Sequence, residues 1–258
     1  MRRARTAVGS VVAAALALSA PAFAHPTSPT LAAMFTRGDY LEAAREAEGA
    51  AGADDLAFAA RALLALCMTG SKEPDASIVD RASKDAEAAL KIDPRHEEGQ
   101  LQLAIALSLK SRKMDVLDAW SAGYGDKGKK LATEVLKSDP DNFYAHGFMA
   151  VWNVEVRRRG GTVGATIMGA SVKNGRRHYQ QAAKLAPDDI GVHWQYARAL
   201  AALDVKQYGA EAAEVLAKAL AANADSHVET VMQARAAELA EALKGDAAAA
   251  QKLAREML

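Results

Sequence analysis

Apolar residues recur three and four positions apart along most of the chain, the spacing that puts them on one face of a helix. Three stretches show it best: Glu97–Lys110, Phe143–Arg157 and Ile190–Leu203. Their seventh and eighth positions read Leu103-Ala104, Met149-Ala150 and Tyr196-Ala197. A bulky side chain followed by a methyl suits two helices that cross closely. Each stretch starts three residues after a proline (Pro94, Pro140 or Pro187), and each proline closes a further helix with small residues on one face. Those closing segments are Ala86-Glu-Ala-Ala-Leu-Lys-Ile-Asp-Pro94, Ala132-Thr-Glu-Val-Leu-Lys-Ser-Asp-Pro140 and Gln181-Ala-Ala-Lys-Leu-Ala-Pro187. Proline lacks the N–H that would continue the helix and restricts the residue before it, so it is a natural stop.

The prolines lie 46 and 47 residues apart, and a fourth copy ends at Ala222, 35 residues after the third. Self-similarity at a nearly constant period predicts stacked helical hairpins. The extra length falls between the two helices of a repeat, at Thr69–Ala76, Ser111–Gly125 and Gly160–Gly175. The last of these reads as a flexible glycine loop. Ser226–Lys244 and Ala247–Met257 predict two more amphipathic helices that would cap the stack. No segment is rich in strand formers.

The large–small pairs and the terminating prolines resemble the tetratricopeptide repeat, with Ala82 and Ala89 before Pro94 and Ala132 and Val135 before Pro140. Gly38-Asp39-Tyr40 resembles the second-helix opening of a first, degenerate copy, so the likeness covers residues 31–222. It implies an all-α, helical-hairpin solenoid whose first helices line a concave face, with residues 223–258 as capping helices. Carried over by repeat position, the lining residues are Glu98, Leu101, Ile105 and Ser108, then Tyr144, Val151 and Glu155, then Trp194 and Arg198. A weaker likeness, to the regulator-of-microtubule-dynamics family, rests on Ala145-His146, Ala183-Lys-Leu-Ala-Pro187, His193 and Ala197-Arg198. It implies a helical repeat domain with membrane-contact and lipid-linked roles.

The first 24 residues follow a different pattern. Arg2, Arg3 and Arg5 precede an uncharged run from Thr6 to Ala24 that ends Ala22-Phe23-Ala24. That is the form of a secretory signal peptide cleaved after Ala24, which predicts a periplasmic protein with residues 25–30 as a flexible start. The apolar core is too short for a membrane span, and no later stretch reads as a transmembrane segment.

Cleavage also changes the charge. The full chain has 32 Lys+Arg and 32 Asp+Glu. Without the leader's three arginines, 29 bases face 32 acids. Of those bases, Arg157, Arg158, Arg159, Lys173, Arg176, Arg177 and Lys184 lie between Val156 and Pro187, a segment with no acid. The neutral total therefore hides a basic segment on an acidic chain. Such a segment can bind an anion at Arg157, Arg158, Arg159, Lys173, Arg176 and Arg177, or be a solvated hairpin whose arginines pair with acids elsewhere. No P-loop spacing follows its glycines.

Catalytic signals are missing from the sequence: there is no Ser/His/Asp set, paired-carboxylate spacing or HExxH. Cys67, the lone cysteine, lies in an apolar helical run and reads as a buried thiol. His146 and His193 share one repeat position, which signals packing and not metal ligation. The expectation is thus a non-catalytic adaptor without metal or cofactor, holding a protein or peptide partner in its concave groove and binding no nucleic acid. The alternative is a carrier of a lipid or other anionic amphiphile, its acyl chain in the groove and its head group at residues 157–177. Insertions or capping helices filling the groove is a third possibility.

Overall fold

The computed structural model describes residues 28–70, 74–112 and 114–257. The leader and its cleavage site after Ala24 lie outside the described residues. Within them the chain forms thirteen helices and no strand. Helix α1 is Pro29–Arg37, α2 Tyr40–Ala50, α3 Ala53–Thr69, α4 Ala76–Ile92 and α5 Glu97–Arg112. Then follow α6 Val116–Ser121, α7 Tyr124–Ser138, α8 Phe143–Met168 and α9 Val172–Leu185. The last are α10 Ile190–Leu203, α11 Val205–Ala221, α12 His227–Ala242 and α13 Ala247–Glu256.

Local chemistry explains the boundaries. Asp75, Asn142, Ser171, Asp189, Asp204, Ser226 and Asp246 each precede a helix and accept a hydrogen bond from a backbone N–H of its first turn. Those N–H groups have no partner inside the helix, so a short polar side chain there fixes the start. Ser28 caps α1 by the same device, and Pro29 occupies its first turn, while residues 25–27 of the start expected to be flexible lie outside the described residues.

The paired helices bury the predicted faces. Leu103-Ala104, Met149-Ala150 and Tyr196-Ala197 are all in the core, as are Ala82, Ala86, Ala89, Ala132 and Val135. Gly175 of α9 shows how tight the contact is, since a Cβ there would stand 2.9 Å from the Ala150 carbonyl of α8. A methyl in that place would push the two helices apart.

Two expectations are corrected. The glycine-rich stretch 160–175 is not a loop: α8 continues through it to Met168. It bends at Gly161 (φ 62°, ψ −160°), a left-handed backbone that disfavours any residue with a Cβ. The C-terminal helices are also more than a cap. Neighbour contacts run from α3 to α5, α8, α10 and α12, and α12 then packs against α3 and α1. The Tyr40 hydroxyl and His227 Nδ1 lie 3.3 Å apart, and Arg235 donates to the carbonyls of Met68 and Gly70. Five inner helices thus close a ring, with α4, α7, α9 and α11 outside it. Helix α13 packs on α10, α11 and α12. Its Gln251 accepts from Val205 N, and its Arg255 donates to the Ala202 carbonyl.

Candidate functional site

The ring encloses a chamber of 470 Å³, within the size range of small-molecule sites. Apolar residues from successive inner helices face it, among them Leu101 and Ile105 of α5, Phe148 and Val151 of α8, and Met232 of α12. Trp120 of α6 also lines it while remaining 44% exposed, so the chamber meets the surface there. Nearby, Leu117, Val163 and Ile167 are exposed as well.

Polar side chains gather at two ends. At one end Arg61 of α3 pairs with Glu98 of α5 at 3.3 Å, its guanidinium 5.1 Å from the ring centres of both Phe35 and Phe58. Tyr144 donates to Asp189, and Glu229 adds its charge to both. Burial raises the Tyr144 phenol well above its ordinary value, and burial also raises the Asp189 carboxyl. Asp189 nonetheless accepts from Val192 N at 2.7 Å, as the cap of α10.

At the other end Glu155 accepts from Arg158 at 2.7 Å and from Arg198 at 3.3 Å. Arg112 and Arg159 complete the group, within electrostatic reach of Glu155 and of the other arginines. Burial pushes the Glu155 carboxyl up, but Arg198, Arg158 and Arg112 outweigh it and hold the group below its ordinary value. Burial, together with Arg198, pulls the Arg112 guanidinium down to about 10. Arg112 donates to the Arg255 and Met257 carbonyls at 3.2 and 3.0 Å. Arg159 donates to Ser111 Oγ at 3.2 Å and to the Met114 carbonyl at 2.8 Å.

Eight of the nine residues assigned to the groove from repeat position line this chamber: Glu98, Leu101, Ile105, Ser108, Tyr144, Val151, Glu155 and Arg198. Trp194 does not. Its side chain is 0% exposed and belongs to the core around α10. The basic segment divides. Arg158 and Arg159 face the chamber, whereas Arg157, Lys173, Arg176 and Arg177 are not part of its wall. Arg176 makes a two-pronged pair with Glu211 at 2.8 and 2.6 Å, while Lys173 and Arg177 are exposed. Arg112 had no place in the sequence-derived set. A signal for it exists: Lys110-Ser-Arg112 ends one inner helix, as Arg157–Arg159 ends the first segment of the next.

Comparison with known proteins adds no relative. No family model matches the chain, and no curated protein does.

Among the described residues no group of three His, Cys, Asp or Glu is placed to hold a metal ion. His146 Nδ1 lies 2.9 Å from His178 Nδ1, and burial with the neighbouring His146 pulls His178 down to about 4. His193 lies 2.9 Å from the Tyr179 hydroxyl and 2.7 Å from the Pro187 carbonyl. Cys67 is buried, and burial pushes its thiol up to about 11, the opposite of an activated nucleophile. Among the described residues no helix is long and apolar enough to cross a membrane.

Proposed function

We propose that this protein is an exported, non-catalytic member of the tetratricopeptide-like helical repeats that carries an amphiphilic small molecule in its ring of inner helices. The observation that carries this reading is the closure of the ring by α12, which turns a concave face into a 470 Å³ chamber with an apolar wall. Transfer of a hydrocarbon body from water to such a wall is favourable by about 25 cal/mol per Å² buried. A protein or peptide partner across the concave face is less favoured. Helix α12 already crosses that face, and Trp194, one of the groove contacts that reading requires, lies in the core.

The test is native mass spectrometry of protein gently extracted from its own cells, paired with Nile red fluorescence of the purified chain. An adduct of amphiphile size and a saturable rise in dye emission are expected. A bare protein mass together with no dye binding would overturn the reading. Ile105→Glu, which places a charge on the apolar wall, is expected to weaken dye binding by roughly tenfold or more.

A further inference from the structure

We propose that the basic end of the chamber is an oxyanion site, which takes the carboxylate or phosphate head of an amphiphile on Arg112 and Arg159. This rests on the carrier reading of the chamber and names the chemistry of its ligand.

Among the carboxylates of the described residues, Glu155 is the one that acts on Arg112, Arg158, Arg159 and Arg198 together. Glu155 is engaged by Arg158 and Arg198. The partners of Arg112 and Arg159 are two backbone carbonyls and, for Arg159, one carbonyl and one hydroxyl. Helix dipoles supply part of the remaining balance. Arg112 ends α5, Arg158 and Arg159 precede the bend in α8, and Arg198 lies in the C-terminal half of α10. A helix C-terminus carries about −0.5 charge and acts within its last turn, so the ends at Arg112 and at Arg158–Arg159 offset about a third of the net +3 of these five described side chains. The remainder, roughly two positive charges, accommodates one bound oxyanion. Planar guanidiniums, with five donors each, suit the forked oxygens of a carboxylate or phosphate.

The placement fits an amphiphile. Arg159 is tied to Ser111 and Met114, immediately before α6, whose Trp120 marks where the chamber reaches the surface. A head group held there leaves its tail along Ile105 and Val151. It also moves the anion site away from Lys173, Arg176 and Arg177, to which the sequence had assigned part of it.

Displacement of Nile red by ligands with one tail and different heads tests this. Dodecanoate and dodecyl phosphate are expected to displace the dye at concentrations roughly tenfold below dodecanol, and dodecylammonium to be weakest. Arg112→Gln with Arg159→Gln should bring dodecanoate to within about threefold of dodecanol while dodecanol itself is unchanged. Because both arginines hold backbone carbonyls, Arg159→Gln alone and the double Lys substitution serve as second variants. The first should lose part of the preference, and the second should keep most of it. Lys173→Gln with Arg177→Gln should leave the ratio as in the wild type. Equal displacement by dodecanol and dodecanoate would overturn the oxyanion site while leaving the chamber reading intact. Failure of every tail, with no dye binding, would remove the chamber reading itself. Competition by inorganic phosphate at the concentration where dodecyl phosphate saturates would assign the site to a free anion and overturn the amphiphile.

Discussion

The two ends of the chamber use the same device and reach different balances. Each has a Glu–Arg pair that links adjacent inner helices: Glu98 of α5 with Arg61 of α3, and Glu155 of α8 with Arg198 of α10. At the first end the cation is further supported by two aromatic rings, and Asp189 and Glu229 lie close by. At the second end three more guanidiniums crowd the pair. Helix direction accounts for the sign at each end. Glu98, Asp189 and Glu229 lie at the starts of α5, α10 and α12, where acids complement the positive dipole end. Arg112, Arg158 and Arg159 lie where the inner helices end or bend. Dipoles thus select which sign gathers at which end, but they do not require four arginines for one carboxylate. The excess is what distinguishes a binding end from a merely balanced one.

Breaking the basic end should have the largest effect. Glu155→Gln takes the carboxylate from Arg158 and Arg198, and loss of one partner from a largely buried charge pair costs about 3 kcal/mol. Urea unfolding at neutral pH is expected to show a loss of that order, and dodecanoate should restore more stability to this variant than dodecanol does. A loss below about 1 kcal/mol would mean that solvent screens the arginines and that no excess charge exists there. Glu98→Gln is the matched change at the other end. Arg61 retains its two rings, and an acid-rich neighbourhood loses one negative charge, so a smaller loss of about 1–2 kcal/mol is expected. Equal losses from the two substitutions would remove the distinction between the ends.

Much of this arrangement was legible in the sequence, and the exceptions have physical causes. The starts of α5, α8 and α10 follow from the prolines three residues before Glu97, Phe143 and Ile190. The buried large–small pairs follow from the helical period. Tyr144, Val151, Glu155 and Arg198 line the chamber because repeat position fixes which helical face turns inward. Trp194, assigned by the same logic, lies in the core instead. Helices α8, α12 and α13 all pack on α10 and cover a face that an open solenoid would expose. Closure itself joins Tyr40 to His227, a contact set by the summed curvature of the stack, and no local pattern reports that sum. Residues 160–168 misled through composition: three glycines read as a loop, although only Gly161 leaves helical geometry.

The smallest effect sharpens the acid end. Burial raises the folded pKa of Asp189 above its unfolded value, with the nearby Glu229 acting in the same direction. Folding is therefore favoured most while this carboxyl is protonated, and the advantage fades as pH rises from the ordinary carboxylate value of about 4 toward the folded one. Asp189→Asn cannot ionise, and an asparagine oxygen can cap α10 and accept from Tyr144 as the carboxylate does. The variant should differ from wild type by less than about 1 kcal/mol near pH 4 and gain on it as pH rises, in urea unfolding between roughly pH 4 and 8. The corresponding neutralisation at the basic end, Glu155→Gln, has the opposite sign. There the folded pKa is lowered, so the wild-type pair stabilises above the ordinary carboxylate value and loses that advantage as pH falls. Parallel stability curves for Asp189→Asn and wild type would mean that the Tyr144–Asp189 pair is solvated, and the acid end would then be an extension of the surface instead of the inner wall of a chamber.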